Sequence, residues 1–146
     1  MIPELVEFNE IVDQRGGLIA LEEYRNIPFA FKRAYFIYDT PTNCRRGCHA
    51  HIALQQVAVC VKGSCSFLLD DGKKTVEVRL DSPARGLLID KMVWHEMYDF
   101  SEDCVILVLA SEVYDESDYI RNHDEFVDLS SVDLTRKCKT RCDFEK

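Results

Sequence analysis

No apolar run in this chain approaches the ~20 residues that a membrane-spanning helix needs. Positive charge is in short supply: 18 Lys and Arg stand against 26 Asp and Glu, a formal net charge of −8. Nucleic-acid binding wants a basic footprint, so that class is set aside. Internal repeats and low-complexity linkers are missing, and tryptophan occurs once, at Trp94. The first residues, Met1-Ile2-Pro3-Glu4-Leu5, have neither the basic region nor the apolar core of a signal peptide. These absences lead to the expectation of a cytoplasmic protein with no membrane and no nucleic-acid partner.

What is present fits one globular domain of 146 residues, 47% hydrophobic and 30% charged. An anionic ligand would need a local group of arginines, for which Arg15, Arg33, Arg45, Arg46, Arg85 and Arg121 are available. The seven cysteines are odd in number. Cys60, Cys65 and Cys104 lie in apolar patterns and read as reduced core residues. Cys44 and Cys48 share C-x3-C spacing with Cys138 and Cys142, which suits zinc. The first pair flanks a candidate active site and the second falls in a polar terminus, so neither is assigned a metal.

Strand signals dominate. Residues 17–22, 33–38 and 55–62 are short, apolar and rich in β-formers. Residues 64–69 lead into the turn Asp70-Asp71-Gly72, and 75–80 return with Val76, Val78 and Leu80 on one face. Further strands are expected at 87–89, 93–98 and 104–110. Strands at this spacing predict an all-β sandwich or barrel. Only 119–129 has a weak helical pattern. A domain over 1–130 is expected, followed by a loosely held tail over 131–146.

The most informative stretch is Arg45-Arg46-Gly47-Cys48-His49-Ala50-His51. In a strand, residues i and i+2 share a face, so both imidazoles project into one space. They make an acid/base pair, part of a metal site, or two hydrogen-bonded structural rings. H-x-H opening a strand is also how metal-binding cupins begin their ligand set. Here the following carboxylate is replaced by Gln55 or Gln56, an amide that cannot offset a divalent charge. Cupin spacing from Gly86 would put Met97, not His95, at the last ligand position. The metal-free acid/base reading is therefore preferred; His95 reads as structural and His123 as a surface residue.

Taken in order, several segments resemble the dTDP-sugar 3,4-ketoisomerases, relatives of the cupin-type sugar-nucleotide epimerases. They are Asn26-Ile27-Pro28-Phe29, Lys32-Arg33-Ala34-Tyr35, Arg46-Gly47 before His49-Ala50-His51, Leu69-Asp70-Asp71-Gly72, Trp94-His95-Glu96-Met97, Val108-Leu109-Ala110-Ser111, and Tyr114-Asp115-Glu116 through Asp118-Tyr119-Ile120-Arg121. The resemblance covers residues 5 to about 127. It implies a metal-free, cofactor-free cupin jelly roll (a double-stranded β-helix), a homodimer exchanging an N-terminal strand. It also implies conversion of dTDP-4-keto-6-deoxy-D-glucose to a dTDP-3-keto-6-deoxyhexose, on the way to aminosugars of surface glycans or natural products. Overall similarity leans to the galacto product.

The resemblance places His49 as the base at C3 and C4, and His51 as the acid/base group at O3 and O4. Arg45 and Arg46 would keep the imidazoles neutral by like-charge repulsion. Tyr35 would bond a substrate oxygen or simply fill the barrel mouth. Arg33 and Arg46 suit the diphosphate. Arg15 would reach the partner's site or remain a solvated turn residue. Trp94 would stack on thymine, wall the pocket, or pack in the core, and Tyr119 with Arg121 would form a binding loop. Three rivals stay open: a metal-dependent cupin enzyme, a non-catalytic sugar-nucleotide-binding module, and an epimerase sharing the enolate chemistry.

Overall fold

The computed structural model describes residues 3–142, with 133–142 as backbone. The strands are β1 (Glu4–Glu7), β2 (Ile11–Asp13), β3 (Gly16–Leu18), β4 (Arg33–Ile37), β5 (Arg46–His51), β6 (Gln56–Lys62), β7 (Cys65–Asp70), β8 (Thr75–Leu80), β9 (Arg85–Ile89), β10 (Trp94–Tyr98), β11 (Val105–Ala110) and β12 (Tyr119–Ile120). One helix, α1 (His123–Cys142), follows. Two five-stranded antiparallel sheets, ordered β1-β9-β6-β11-β4 and β12-β5-β10-β7-β8, face each other, and β2-β3 is a separate hairpin. This is the expected all-β jelly roll.

Alternation builds the core between the sheets. Phe67, Leu69, Val78 and Leu80 from the β7-β8 hairpin meet Ala58, Leu87 and Ile106 from the other sheet. The hairpin turn closes at Gly72, whose φ of +88° suits glycine far better than any side chain. β6 and β11 are buried on both faces because the outer face of their sheet is covered too, by Phe8, Ile27 and Phe29 packing on Val57, Val59 and Leu109. Buried at both surfaces, these strands read as continuous apolar runs rather than alternating ones. Cys60, Cys65 and Cys104 are free, buried thiols, as expected.

Two elements depart from the sequence reading. The strand expected over 17–22 ends at Leu18, because the Asn26 side chain takes over the bonding beyond it. Its Nδ2 donates to Ala20 O (2.7 Å) and its Oδ1 accepts from Glu22 N (2.8 Å). The helix begins at His123 and not at Tyr119, since Tyr119 and Ile120 are claimed by pairing with His51 and Ala50. Asn122 caps it, its Oδ1 accepting from Glu125 N at 3.0 Å, and the helix then runs unbroken to Cys142. Phe126 anchors α1 on the outer face of the second sheet, against Ala50, Trp94 and Ile120. The side chains of Cys138 and Cys142 lie outside the described residues.

Candidate active site

The site is built on a defect in the pairing of β5 with β10. His49 lies opposite His95 and Gly47 opposite Glu96, which leaves Cys48 as an extra residue. Gly47 (φ +82°) and Cys48 (φ +58°) are both left-handed, the backbone signature of a bulge. A Cβ at Gly47 would stand 2.9 Å from the His95 carbonyl oxygen, so glycine is required twice over. In a regular strand Arg46 and His49, three residues apart, would face opposite ways. The bulge reverses the alternation between them, and both line one cavity of about 340 Å³.

That cavity is also walled by Arg33 and Tyr35 of β4 and by Tyr119 and Arg121. A smaller space of about 170 Å³ adjoins it, sharing Arg33 and Tyr119 and including His51 and Asp118. The His49 and His51 rings share a face as expected, meeting edge-on with centroids 4.9 Å apart. His95 joins them, 4.5 Å from His49. Tyr119 lies 4.8 Å from His49 and 4.4 Å from His51.

Each of the three imidazoles has its Nδ1 engaged. His49 Nδ1 bonds Gly47 O at 3.0 Å, His95 Nδ1 bonds Val93 O at 3.2 Å, and His51 Nδ1 bonds Asp118 Oδ2 at 3.1 Å. A carbonyl or carboxylate only accepts, so Nδ1 is the protonated nitrogen in the neutral rings, and the Nε2 lone pairs remain for chemistry. Burial drives His51 down to about 4, with His49 adding to the effect and Asp118 opposing it. It drives His95 to about 3 and lowers His49 as well. The expectation that Arg45 and Arg46 keep the imidazoles neutral is corrected. Burial does most of it, and the arginine that contributes at His49 is Arg121. Arg45 turns outward to pair with Glu96 and lies over the Tyr98 ring.

The amide in the cupin carboxylate position is Gln56, which is buried, while Gln55 binds Asp90. Tyr35 donates to Gln56 Oε1 at 2.6 Å, and burial pushes its hydroxyl up to about 12. With its proton so placed, Tyr35 meets a ligand as an acceptor. Gln56 Nε2 and Arg33 Nε are buried donors with no partner among the described residues. One ring nitrogen from each of His49, His51 and His95 lies within 4.8 Å of the others, which makes them the residues able to hold a divalent cation.

Of the roles open to Trp94, core packing holds and the two ligand-facing roles fail. Trp94 does not line either cavity; it points to the opposite face of β10 from His95, is 4% exposed, packs on Phe126, and donates to Glu96 Oε1 at 2.9 Å. Strand alternation forces this, since only His95 and Met97 can face inward. His95 is buried behind His49, across from it in the bulged pairing, and lines neither cavity, which accords with its structural reading. His123 is an exposed surface residue, as expected, and its Nε2 bonds Asp70 Oδ2 at 2.8 Å. Arg15 sits at the β2-β3 turn, exposed and paired with Asp13, outside both cavities of its own chain. Asp118 was missed altogether; no local pattern marks it, and only the pairing of β12 with β5 brings it to His51.

Comparison with known proteins matches this arrangement. A curated relative from Aneurinibacillus thermoaerophilus, TDP-4-oxo-6-deoxy-alpha-D-glucose-3,4-oxoisomerase, is 55% identical over 123 residues, 84% of this chain and 88% of its own. The 3,4-ketoisomerase QdtA from Thermoanaerobacterium thermosaccharolyticum was solved with TDP as a double variant, one tyrosine changed to arginine and one arginine to histidine. It is 44% identical, with a TM-score of 0.86 over 88% of this chain and 93% of that one. A histidine-to-asparagine variant of QdtA was solved with TDP-4-keto-6-deoxyglucose. WlaRB from Campylobacter jejuni, a TDP-quinovose 3,4-ketoisomerase, is 46% identical, with a TM-score of 0.82 over 86% and 96% of the two chains. The family profile described as FdtA, WxcM-like, C-terminal, matches residues 1–131. With the family profile covering residues 1–131 and a curated relative 55% identical over 84% of the chain, the chain belongs to the FdtA (WxcM-like, C-terminal) family.

Proposed function

We propose that this protein is a sugar-nucleotide 3,4-ketoisomerase that converts TDP-4-keto-6-deoxy-D-glucose to a TDP-3-keto-6-deoxyhexose. The observation that carries the reading is the pair His49 and His51, on one wall, each with Nδ1 committed and Nε2 available. His49 removes the C3 proton, made acidic by the C4 carbonyl, and an enediolate forms with its charge on O4. His51 takes the O3 proton and passes it to O4. The C3 carbonyl forms as His49, its N–H having exchanged with solvent, delivers a proton to C4. Both rings end as they began, and no redox cofactor is consumed. Each acid/base group is worth about 10²–10⁴-fold. Arg33 and Arg46 hold the diphosphate, and Arg121 with Tyr119 closes the sugar end.

The product is the galacto sugar. WlaRB is named for quinovose, a gluco sugar, so overall similarity does not choose the configuration. The configuration at C4 is read directly from NMR of the product. The two positions changed in the QdtA double variant are as far apart in sequence as Arg15 and His95 of this chain. Counted with the same offset, the histidine replaced in the substrate-bound variant corresponds to His49, which supports its proposed role. The protein works as a homodimer in which the N-terminal segment crosses over and delivers Arg15 to the partner's cavity. Ile11, Val12 and Leu18 on the β2-β3 hairpin, each 60% exposed or more, support such a contact. No helix among the described residues is long and apolar enough to cross a membrane. A nucleotide-activated sugar is an intracellular substrate, so the cytoplasm is the proposed location.

Incubation with TDP-4-keto-6-deoxyglucose in D2O, followed by NMR, tests the reading. A carbonyl moved to C3 with deuterium at C4 is the expected result; a carbonyl left at C4 refutes it and favours epimerisation or binding alone. The nitrogen triad supports a second reading, a metal-dependent enzyme. Activity that survives chelation and an absence of stoichiometric metal in the purified protein are expected; loss of activity restored by a divalent ion would establish the second reading.

A further inference from the structure

His51 differs from the other two rings of the cluster in what lies behind it. His49 and His95 rest on backbone carbonyls, whereas His51 rests on the carboxylate of Asp118. Asp118 is itself held firmly. Its Oδ1 accepts from Ala53 N at 2.8 Å and its Oδ2 from Leu54 N at 3.3 Å as well as from His51. Its own carbonyl accepts from Ile52 N at 3.0 Å, and its N–H donates to Asp115 O at 3.1 Å. The chain leaving β5 therefore wraps around one carboxylate. Asp118 stands beside His51 on the wall of the smaller cavity, and both its carboxylate oxygens are taken, by Ala53 N, Leu54 N and His51, so it reaches the chemistry through His51.

We propose that Asp118 is a positioning residue that fixes His51 as the oxygen-side proton carrier. It does so by holding the proton on Nδ1 and leaving the Nε2 lone pair to receive the O3 proton. This rests on the ketoisomerase reading and sharpens it. In the transfer, the O3–H bond breaks as Nε2–H forms, and Nε2–H then breaks as O4–H forms. Between the two events His51 is an imidazolium, and Asp118 supplies a charge-assisted hydrogen bond, roughly twice as strong as a neutral one. The other two rings have only a neutral carbonyl there. The proton that must wait between oxygens is therefore carried by His51.

The variant D118N reverses the arrangement for a stated reason. Ala53 N and Leu54 N cannot stop donating, and the shorter bond, to Ala53, claims the amide oxygen. The amide NH2 then faces His51 Nδ1 and drives the proton to Nε2. Ring-nitrogen NMR of protein with labelled histidine, assigned through His51→Asn, reads the tautomer without turnover. In the unmodified protein near neutral pH, His51 is expected protonated at Nδ1; finding the proton on Nε2 overturns the proposal whether or not D118N folds.

For D118N the expected results are the opposite tautomer, kcat lower by at least about 10²-fold, and KM within a few-fold. Exchange of the substrate's C3 hydrogen with D2O, the work of His49, continues. Unchanged kcat overturns the proposal, and so does loss of C3 exchange in step with kcat. If the unmodified protein does not move the carbonyl at all, the ketoisomerase reading fails by itself, and the tautomer measurement still decides whether Asp118 sets His51.

Discussion

Three neutral imidazoles packed together should make this fold acid-sensitive well above the range where carboxylates titrate. Acidification from pH 7 to pH 5 is the perturbation. The native pKa of His51 is about 4 and that of His95 about 3, against 6.5 for an unrestrained histidine. Between pH 5 and 6.5 the unfolded chain binds protons that the native chain refuses, so stability must fall as pH falls. At pH 5 an unfolded histidine is almost fully charged and either native ring is almost fully neutral. Each ring then removes about 2 kcal/mol relative to pH 7. For the two together the loss is about 4 kcal/mol, a large share of the 5–15 kcal/mol typical of a domain. His49 adds to it with the same sign. Glu96 and Glu116 are depressed carboxylates and act at lower pH, outside this window.

Urea unfolding at fixed protein concentration, followed across pH 5–7, reads the effect. With m near 2 kcal/mol/M, the midpoint should fall by about 2 M. His95→Gln should recover about half of the slope. A midpoint constant across that range would refute the argument, because it would mean that the buried rings are already charged at pH 7.

The bulge predicts a second effect. Gly47→Ala forces a side chain into a left-handed conformation and onto the His95 carbonyl, at a cost of about 1–2 kcal/mol or more. It should also lower kcat by displacing His49 against His95; normal kinetics would show that the bulge is incidental. Trp94→Phe should leave KM for the sugar nucleotide within a few-fold while lowering stability, since the indole packs on α1. A KM increase of tenfold or more would restore the stacking role expected from sequence. Phe126→Ala should cost about 3–5 kcal/mol in urea unfolding. A loss under 1 kcal/mol would mean that α1 is not anchored through that ring.

Alternation made much of this protein legible before its structure. The β7-β8 hairpin, with Glu77 and Arg79 outward and Val78 and Leu80 inward, follows from period two alone. The shared face of His49 and His51 follows from the same rule. What escaped was set by interactions that no window of sequence contains. That His95 packs directly on His49 was hidden, because spacing cannot register a bulge on the strand opposite. For Trp94 the ligand roles stood open beside core packing because its neighbour's direction was unknown; once His95 faces inward, Trp94 cannot. Asp118 has no sequence signature beyond a short polar turn, and its partner lies 67 positions away. Asn26 ended β3 early by side-chain bonds that strand propensity does not count.

The depressed histidines and the proposed reaction explain one another. A ketone moved along a sugar ring shifts one hydrogen between carbons and one between oxygens, and the net proton count does not change. Such a site has no use for a group that keeps its proton. An imidazole whose charged form is penalised by burial returns what it takes, and the return is the second half of each transfer. Two of the three rings are backed only by carbonyl dipoles, so their charged forms have little support. His51, backed by Asp118, is where the proton that passes between the oxygens is held. The amide of Gln56, in the position of a cupin carboxylate, is consistent with this division. A second anion beside His49 and His95 would stabilise their charged forms and weaken their readiness to give the proton back.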